Sequence, residues 1–448
     1  MPATILELQR LLATGATSSV ELTKAALQRI AAPEGEGRRA FTDTFGEQAM
    51  ATAQAGDTLR AAGIVRSAID GLPISVKDLF DVQGKTTMAG SVVLKDMDPA
   101  QHNAVIVQRL INAGAVIVGK TTMTEFAFSG LGINPHYGTP SSPWDRETGR
   151  IPGGSSSGAG VSVADGMCVA AVGTDTGGSV RIPSAFCGLA GFKPTARRVP
   201  ADGAIPLSTS LDSIGPLAAS VTCCAILDAI LSGQAYTAPV APEMSQLRFG
   251  VPSSVILDGA DDHVRGVFEK ALRTIQSRGA RIDTIELPEF EQLAHINRLG
   301  GFVCAEAWAW HKELLERHAD QYDPRVASRI KRGKDMSSAD YIQLLQIRQK
   351  WIASVESRLT HYDALLMPTS PIVAPSIRAL QASDEAYFAA NGLILRNPTL
   401  INFLDGCALS IPCHPTGSAP VGLMIVGAAM HDRQVLDVGM ALEESFRV

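Results

Sequence analysis

The amino-acid sequence predicts an α/β fold, and two observations lead to that prediction. Residues 71–119 carry an alternating strand, an amphipathic helix and a short apolar strand, an order that is typical of a sheet covered by helices. The same order returns at 247–287. Hydrophobic residues make up 46% of the 448 residues, which is enough for a large core and excludes a disordered or fibrous chain.

The first 65 residues are predicted to be helical. Ser18 and Glu21 form the pattern of a capping box, in which the serine hydroxyl accepts an amide of the first turn and the glutamate reaches back to the cap. An apolar-periodic run follows this pattern, and a second helix is predicted over 45–62. These segments predict a helical N-terminal layer at 1–65.

The middle of the chain contains the strands nearest to the candidate chemistry. A strand is predicted over 71–82, a helix over 104–114 and a buried strand over 115–119. The stretch 129–160 is rich in Gly, Pro and Ser, and a loop of this length is usually functional. A continuous apolar strand over 167–175 then runs into a glycine-rich turn.

The C-terminal half continues the alternation of helices and strands. No internal repeat and no clear linker divides the chain, so we expect a single domain over 1–448. The further predicted elements are a helix at 221–233, strands at 247–252 and 281–287 around a helix at 262–279, long helices at 298–318 and 337–359 joined by a solvated turn at 331–338, strands at 363–371 and 420–427, and a closing helix at 431–446.

Composition and charge exclude several classes of protein. The formal charge is −6 and no stretch is dense in Lys and Arg, so nucleic-acid binding is not expected. No run of 18 apolar residues occurs, so no membrane span is expected. Seven cysteines without a C-x-x-C pair, and no signal-peptide pattern, predict reduced thiols and a cytoplasmic location. No H-E-x-x-H motif indicates a metal, and His311 and His318 are interpreted as a solvated helix face.

Several motifs resemble other catalytic signatures without matching them. The cluster at 153–158 is not a phosphate-binding loop, because the Walker A pattern requires a lysine after its last glycine. Ser179 does not lie in a G-x-S-x-G elbow, because Arg181 takes the place of the final glycine. Residues 328–331 match S-x-x-K, but they lie in a charged helix without the partner motifs.

Three side chains remain that can carry nucleophilic chemistry. Lys77 lies in an otherwise apolar strand; alone, it is typical of a strand-end lysine that reaches solvent. Ser155 and Ser179 lie 24 residues apart in two glycine-rich and serine-rich clusters. A serine nucleophile needs a base, and a desolvated lysine has a lowered pKa that lets it be that base near pH 7. Gly177 and Gly178 let backbone N–H groups converge, as an oxyanion hole requires.

On these residues the sequence resembles the amidase signature family. The resemblance rests on Lys77 in GLPISVKDLFDVQG, on GGSSSG and TDTGGSVRIPS, and on GKTTMTEFAF, HYGTPSSPWD and CGLAGFKPT. It is strong over 66–217, looser at LLMPTSPIVAPS and NFLDGCALSIPC, and slight over 230–360. It implies a central mixed β-sheet covered by helices on both faces, with a core at 66–230 and a part at 231–448 that completes the sheet and the substrate pocket.

The resemblance also implies a role for each matching residue. Ser179 corresponds to the acylated nucleophile, Ser155 to a bridging serine that follows a cis Gly154–Ser155 bond, and Lys77 to the terminal base. The family pattern GGSSGG is altered at its fifth position by Ser157, which we expect to cap the following helix without disturbing the chemistry. The oxyanion hole corresponds to the N–H groups of Thr176, Gly177, Gly178 and Ser179.

The substrate contacts follow from the same comparison of positions. An apolar set implies an aryl or aliphatic acyl group, and its members are Phe126, Phe128, Leu131, Ile133 and Tyr137. Tyr137 could equally anchor the loop. The segments at Arg396–Asn397 and Asn402–Phe403 are expected to close the other side.

Two charged residues beside the nucleophile have open roles. Arg181 either binds a substrate carboxylate or holds the nucleophile turn, and Asp175 is interpreted as an acceptor for backbone amides more than as an acid or base. Cys187 is interpreted as a core residue, because the serine and lysine set is intact.

The predicted activity is hydrolysis of a small carboxylic amide, with release of ammonia or an amine. Two alternatives are open: the glutaminase (A) subunit of a tRNA-dependent amidotransferase, which works with partner subunits, and a ureide-type hydrolase. A binding scaffold without activity is disfavoured, because Lys77, Ser155 and Ser179 are all present. No metal or other cofactor is needed by this chemistry, and a homodimer is an open expectation.

Overall fold

A mixed sheet of eleven strands lies at the centre of the computed structural model, which describes residues 2–446. Along the chain the strands are β1 (Phe41–Thr44), β2 (Pro73–Lys77), β3 (Val116–Thr121), β4 (Ala170–Asp175), β5 (Ala190–Lys193), β6 (Ser213–Ala218), β7 (Arg248–Pro252), β8 (Arg281–Ile285), β9 (Ala364–Pro368), β10 (Cys407–Pro412) and β11 (Gly422–Gly427). Across the sheet their order is β1-β3-β2-β4-β6-β5-β10-β11-β9-β7-β8.

Parallel and antiparallel pairs both occur in this sheet. The pairs β2–β3, β2–β4, β7–β8 and β7–β9 are parallel, and the other neighbours are antiparallel. The strands on the two sides of β9, β10 and β11 come from distant parts of the chain, so one sheet joins the N-terminal and C-terminal halves. The predicted mixed α/β fold is confirmed.

Helices surround the sheet. Along the chain they are α1 (Ile5–Thr14), α2 (Ser19–Ala31), α3 (Gly37–Ala40), α4 (Gly46–Ala61), α5 (Val105–Asn112), α6 (Ser157–Ala164), α7 (Arg181–Phe186), α8 (Val221–Ser232), α9 (Asp262–Ser277), α10 (Pro288–Ile296), α11 (Gly301–His318), α12 (Pro324–Lys331), α13 (Ser338–Leu359), α14 (Ile377–Ala382), α15 (Asp384–Phe403) and α16 (Asp432–Phe446). Among residues 2–446, no helix combines the length and the apolarity needed to cross a membrane.

Strand β4 shows how the sheet is covered on both faces. Ala170 and Val172 belong to one apolar cluster, together with Val221 of α8. Ala171 lies between them in sequence and belongs to a second cluster, together with Val161 of α6. Because successive strand residues point to opposite faces, helices cover both faces of the sheet, as expected.

The N-terminal layer agrees with the sequence in its helices and differs in one strand. The hydroxyl of Ser18 accepts the amide of Glu21, and the Glu21 carboxylate accepts the amide of Ser18, so the predicted capping box is confirmed. The segment 41–44, predicted to belong to a helical layer, pairs instead with β3. Its residues, Phe-Thr-Asp-Thr, are too few to display a period.

The strands β5, β6 and β10 were not predicted, and β6 shows the reason. Its sequence contains Gly215 and Pro216, residues that ordinarily mark turns. A Cβ atom on Gly215 would lie 2.0 Å from the carbonyl oxygen of Phe192 in β5. The glycine therefore permits a close approach of two strands, and this contact is visible only in the folded chain.

The connection between the two long helices α11 and α13 is a helix and not the predicted solvated turn. Helix α12 follows Asp323 and buries Val326 and Ile330. The next turn, at 332–335, buries Gly333, whose hypothetical Cβ atom would meet the backbone of Cys304 at 1.9 Å. The charged residues of this stretch concealed the apolar stripe between them.

His311 corrects another expectation. It was interpreted as part of a solvated helix face, but it has no exposed surface, and its Nδ1 lies 3.0 Å from the hydroxyl of Tyr322. The ring of Phe126 packs edge-on at 4.4 Å between centroids. Burial lowers the pKa of His311 to about 3, so the imidazole is neutral at physiological pH.

Candidate active site

The candidate site lies at the carboxyl ends of β3, β2 and β4. These strands run parallel, so their last residues meet at one edge of the sheet. Lys77 is the last residue of β2, and Asp175 is the last residue of β4. The sheet therefore brings together two segments that are about a hundred residues apart in sequence.

Lys77 is completely buried and faces two hydroxyl groups. Its Nζ donates to the Oγ of Ser155 at 2.7 Å and to the Oγ1 of Thr174 at 2.8 Å. Burial lowers the pKa of Lys77 to about 7, against the opposing attraction of the Asp212 and Asp175 charges. A large fraction of this amine is therefore neutral near pH 7, as a general base requires.

Ser155 is held in place by its own backbone. The Gly154–Ser155 peptide bond is cis, in agreement with the prediction, and the Ser155 carbonyl oxygen accepts the amides of Thr124 at 3.0 Å and Ser157 at 2.9 Å. Helix α6 begins at Ser157, but the side chain of Ser157 does not cap it. The Ser157 hydroxyl donates instead to the carbonyl of Thr122 at 3.2 Å, so the predicted cap is wrong.

The turn that carries Ser179 is organised around the Asp175 carboxylate. Asp175 accepts the amides of Gly178 at 2.8 Å and Val180 at 3.1 Å. Gly178 has a φ of +121°, and a Cβ atom there would lie 2.6 Å from the side chains of Ile182 and Pro398. Glycine is therefore required at this position both by conformation and by space.

These contacts remove one member of the predicted oxyanion hole. The amide of Gly178 already donates to Asp175, so it is not free to bind an oxyanion. Within the part of the chain that the structure describes, the amides of Thr176, Gly177 and Ser179 have no protein acceptor. Three of the four predicted donors thus remain.

Arg181 does not reach the substrate cavity. Its side chain has no exposed surface and forms an ion pair with Asp175 at 2.8 Å. Its Nη2 also donates to the Oδ1 of Asn402 at 2.7 Å and to the carbonyl of Pro398 at 3.1 Å. The predicted substrate contact is therefore wrong, and the geometry fits the alternative, a residue that holds the nucleophile turn.

The same cluster explains the state of Asp175. Burial alone would raise the pKa of this carboxyl, but the charge and hydrogen bonds of Arg181 outweigh burial and hold the pKa well below its usual range. Asn402 adds a hydrogen bond at 3.0 Å. Asp175 is therefore a permanent anion that accepts backbone and side-chain donors, and it is unsuited to proton transfer.

A cavity of about 240 Å³ opens above Ser179. Its volume is at or below the ~300–1,000 Å³ typical of pockets for drug-sized ligands, which favours a small substrate. It is lined by Ala127, Phe128, Ser129, Thr176, Gly177, Ser179, Leu207, Leu211, Asn297, Gly300, Gly301, Phe302, Val303, Cys304, Arg329, Arg332, Leu395, Thr399 and Phe403.

Most of the predicted substrate residues lie elsewhere. Phe126 packs among Trp310, His311 and Tyr322, and Leu131 belongs with Ile133 to a separate apolar cluster. The Tyr137 hydroxyl donates to the Sδ of Met88 at 3.2 Å, which fits an anchor of the loop. The expectations that follow from family position thus placed the segment correctly, but not the direction of each side chain.

Backbone conformation explains why Phe126 and Phe128 diverge. Phe126 and Ala127 both have positive φ angles, of 49° and 60°. These left-handed residues turn the chain, so that Phe126 enters the protein core and Phe128 enters the cavity. Such conformations are rare outside glycine, and nothing in the sequence marks them.

The C-terminal wall is contributed by α15, as expected in part. Phe403 lines the cavity, and Asn402 joins the Arg181 cluster. Arg396 donates to the carbonyl of Asp258 at 2.6 Å, and neither Arg396 nor Asn397 reaches the cavity.

The sequence interpretation missed the wall formed by α11, α12 and the turn after α12. This wall contributes Asn297, Phe302, Arg329 and Arg332 to the cavity. A signal was present, because Arg329 and Arg332 are three residues apart and so share one helical face. It was hidden among the many other charges of the segment.

The loop at 207–212 connects this wall with the oxyanion hole. Asp212 accepts the Thr176 hydroxyl, and Glu306 of α11 accepts the Ser208 hydroxyl at 2.6 Å and the Ser210 amide at 3.0 Å. Burial raises the pKa of Asp212 to about 6, although the Thr176 hydrogen bond and Lys77 oppose the shift. Two carboxylates thus hold the cavity wall and the nucleophile turn in one arrangement.

Comparison with known proteins agrees with this geometry. The sequence model of the family described as Amidase matches residues 21–436. A 2-amino-5-chloromuconic acid deaminase of Comamonas testosteroni is 35% identical over 409 residues, which are 90% of this chain and 88% of that protein. The glutamyl-tRNA(Gln) amidotransferase of Chloroflexus aggregans has an (A) subunit that is 33% identical over 466 residues, 96% of this chain and 94% of that subunit.

Solved structures show the same relationship. A crystal structure of an amidase superposes with a TM-score of 0.89 at 34% identity, and the match covers 99% of this chain and 100% of that chain. The native peptide amidase of Stenotrophomonas maltophilia superposes with a TM-score of 0.81 at 25% identity, over 100% of this chain and 97% of that chain.

Proposed function

This chain belongs to the amidase family and is a hydrolase of C–N bonds, and from that premise we propose that it cleaves a small carboxylic amide through an acyl-enzyme on Ser179. The observation that carries the proposal is the buried hydrogen bond of 2.7 Å between the Lys77 Nζ and the Ser155 Oγ. A lysine with no exposed surface and a pKa of about 7 is a base that the fold has prepared.

In the proposed first half of the reaction, neutral Lys77 takes the proton of Ser155 while Ser155 takes the proton of Ser179. The Ser179 oxygen attacks the amide carbonyl, and the amides of Thr176, Gly177 and Ser179 support the developing oxyanion. Each such donor typically contributes about 3–4 kcal/mol to the transition state. The relay then returns one proton through Ser155 to the leaving nitrogen, which departs as ammonia or an amine.

In the second half, water attacks the acyl-enzyme on Ser179. The same relay removes a proton from the water and gives it to the Ser179 oxygen as the ester bond breaks. The products are a carboxylic acid and the free enzyme. No step needs a metal or another cofactor, in accord with the sequence prediction.

The test is ammonia release from a panel of primary amides by the wild type and three variants. The panel holds benzamide, indole-3-acetamide, malonamate, glutamine, short aliphatic amides and ureides. Lys77→Ala, Ser155→Ala and Ser179→Ala should each lose most activity, while Arg273→Gln, a change on an exposed helix surface, should retain it. Near-wild-type turnover by Lys77→Ala would contradict the relay.

A covalent intermediate gives an independent readout. Hydroxylamine added to the wild type should divert the acyl group from Ser179 into a hydroxamate, and Ser179→Ala should form none. Hydroxamate formation by Ser179→Ala would assign the nucleophile to another residue.

A second candidate function is the glutaminase subunit of a tRNA-dependent amidotransferase. The observation that favours it is the likeness to such a subunit over nearly the whole chain. In that case glutamine would be the substrate, and turnover would depend on partner subunits. Glutamine alone being active in the panel would favour this function, and activity on ureides alone would favour a ureide hydrolase.

We also propose that the enzyme works in the cytoplasm. All seven cysteines are free thiols, six of them buried, which supports a reducing compartment. A homodimer remains a prediction, and light scattering of the purified protein would test it.

A further inference from the structure

Two arginines in the wall of the cavity have no acidic partner. Arg329 and Arg332 both line the cavity above Ser179. Neither forms an ion pair with any residue that the structure describes. Arg325, one turn earlier on α12, does pair with Asp384 at 2.7 Å. The lack of a counterion is therefore a local property of the cavity.

The surroundings of Arg329 are neutral or apolar. Its guanidinium lies 4.4 Å from the ring centroid of Phe128, and its Nη1 donates to the Phe128 carbonyl. Burial lowers the pKa of Arg329 below its ordinary value, and the like charge of Arg332 adds to the effect. A guanidinium has five N–H donors, and one carbonyl oxygen leaves most of them for another ligand.

The rest of the cavity offers no anion either. None of the described residues that line it is Asp or Glu. The two arginines also line a second, more open cavity of about 510 Å³, again without an acid, together with Ser328, Phe388, Asn391, Gly392 and Leu395. The arginines therefore stand between the outer cavity and the one that contains Ser179.

An unpaired cation that is partly withdrawn from water is unfavourable unless a ligand compensates it. From this arrangement we propose that the substrate is an amide whose acyl chain ends in a carboxylate, bound by Arg329 and Arg332, and which carries no ammonium group. The inference rests on the proposed function. Arginine suits the role because its planar fork matches a carboxylate with two parallel hydrogen bonds.

The second half of the proposal follows from the missing acids. The α-ammonium group of glutamine would enter a cavity with two cations and no carboxylate to receive it. An unpaired ammonium that loses its hydration raises the free energy of binding. Among amides of equal length, the one without the ammonium should therefore be the better substrate, which argues against glutamine.

The carboxylate does not react. Hydrolysis breaks only the amide C–N bond, with water supplying the oxygen of the new carboxyl group and the proton of the departing ammonia. A monoamide of a dicarboxylic acid would thus become the dicarboxylic acid. The expectation of an aryl or simple aliphatic acyl group, which rested on apolar residues alone, is replaced by an aliphatic acyl group with an anionic end.

Pairs of amides that differ only at the far end of the acyl chain test the proposal. The pairs are malonamate and propanamide, succinamate and butanamide, and glutaramate and pentanamide, in which a methyl group replaces the carboxylate. Two further comparisons, asparagine with succinamate and glutamine with glutaramate, add only the ammonium. In each case kcat/KM is measured by ammonia release.

We expect at least one carboxylate-bearing amide to exceed its neutral partner by about 10-fold to 100-fold, the range of a charged hydrogen bond. The matching amino acid amide should be at least about 10-fold poorer. In Arg329→Gln and Arg332→Gln the ratio of the charged to the neutral amide should fall toward one. Arg273→Gln, the matched control at an exposed site, should keep the wild-type ratio.

The outcomes separate this inference from the proposed function. Neutral amides preferred by the wild type, a ratio retained by both cavity variants, or glutamine equal to glutaramate would each overturn the inference and leave the amidase function standing. Arg332 is exposed, so its variant remains informative even when Arg329→Gln fails to fold. Ammonia from none of these amides or of the broader panel would overturn both.

Discussion

The pH dependence of turnover is set by the amine of Lys77. Burial lowers the pKa of Lys77 to about 7, and only the neutral amine can accept the proton of Ser155. With that pKa, the neutral fraction is about one tenth at pH 6 and about nine tenths at pH 8. We therefore expect kcat/KM to rise about tenfold from pH 6 to pH 8, and to level off above pH 8.

The assay is ammonia release at substrate concentrations far below KM, between pH 5.5 and 9.5 at constant ionic strength. Over this range an aliphatic carboxylate stays ionised, with an ordinary pKa of about 4.3, so the substrate adds no limb of its own. Circular dichroism at both ends of the range controls for unfolding. A lysine with its ordinary pKa of about 10.4 would instead give a rate that keeps rising past pH 9, and that result would refute the reasoning.

Three further predictions concern buried charges. In Asp212→Asn the loss of a negative charge that raises the pKa of Lys77 should move the acid limb of kcat/KM down by about one pH unit, and an unmoved limb in the same assay would contradict this. Arg181→Met should lower the free energy of unfolding by about 3–5 kcal/mol, because Asp175 would remain as a buried charge without its partner; urea titration measures this, and an unchanged midpoint would oppose it. His311 has a pKa of about 3 when folded, below the unfolded value of about 6.5, so its contribution is present above pH 6.5 and is lost as the pH falls toward 3; His311→Gln should remove about 2 kcal/mol of the stability difference between pH 8 and pH 5, and equal pH dependence of the variant and the wild type in urea titration would speak against it.

Elements with a strong period were predicted well, and elements whose partners lie far away were not. The capping box at Ser18 and the helix over 46–61 depend on residues within one turn of each other. Strand β6 depends on a contact with β5, in which Gly215 admits the backbone of Phe192. Its glycine and proline resemble a turn until that neighbour is present.

The candidate catalytic residues were easier to predict than the substrate wall. Lys77, Ser155 and Ser179 lie in segments of unusual composition, where a buried lysine and clustered glycines require a chemical reason. Arg329 and Arg332 lie in a charged stretch of ordinary composition. What distinguishes them is the lack of a carboxylate partner within the described structure, and that property depends on which elements surround α12.

The sequence by itself determined the α/β class, the amidase resemblance and the three residues proposed for the relay, because composition, period and local motif are properties of neighbouring residues. The tertiary structure alone decided that the Gly178 amide and the Arg181 side chain serve Asp175, and that Phe128 faces the cavity while Phe126 does not. The physical reason is that hydrogen bonds and side-chain directions are assigned by competition among groups that only folding brings together.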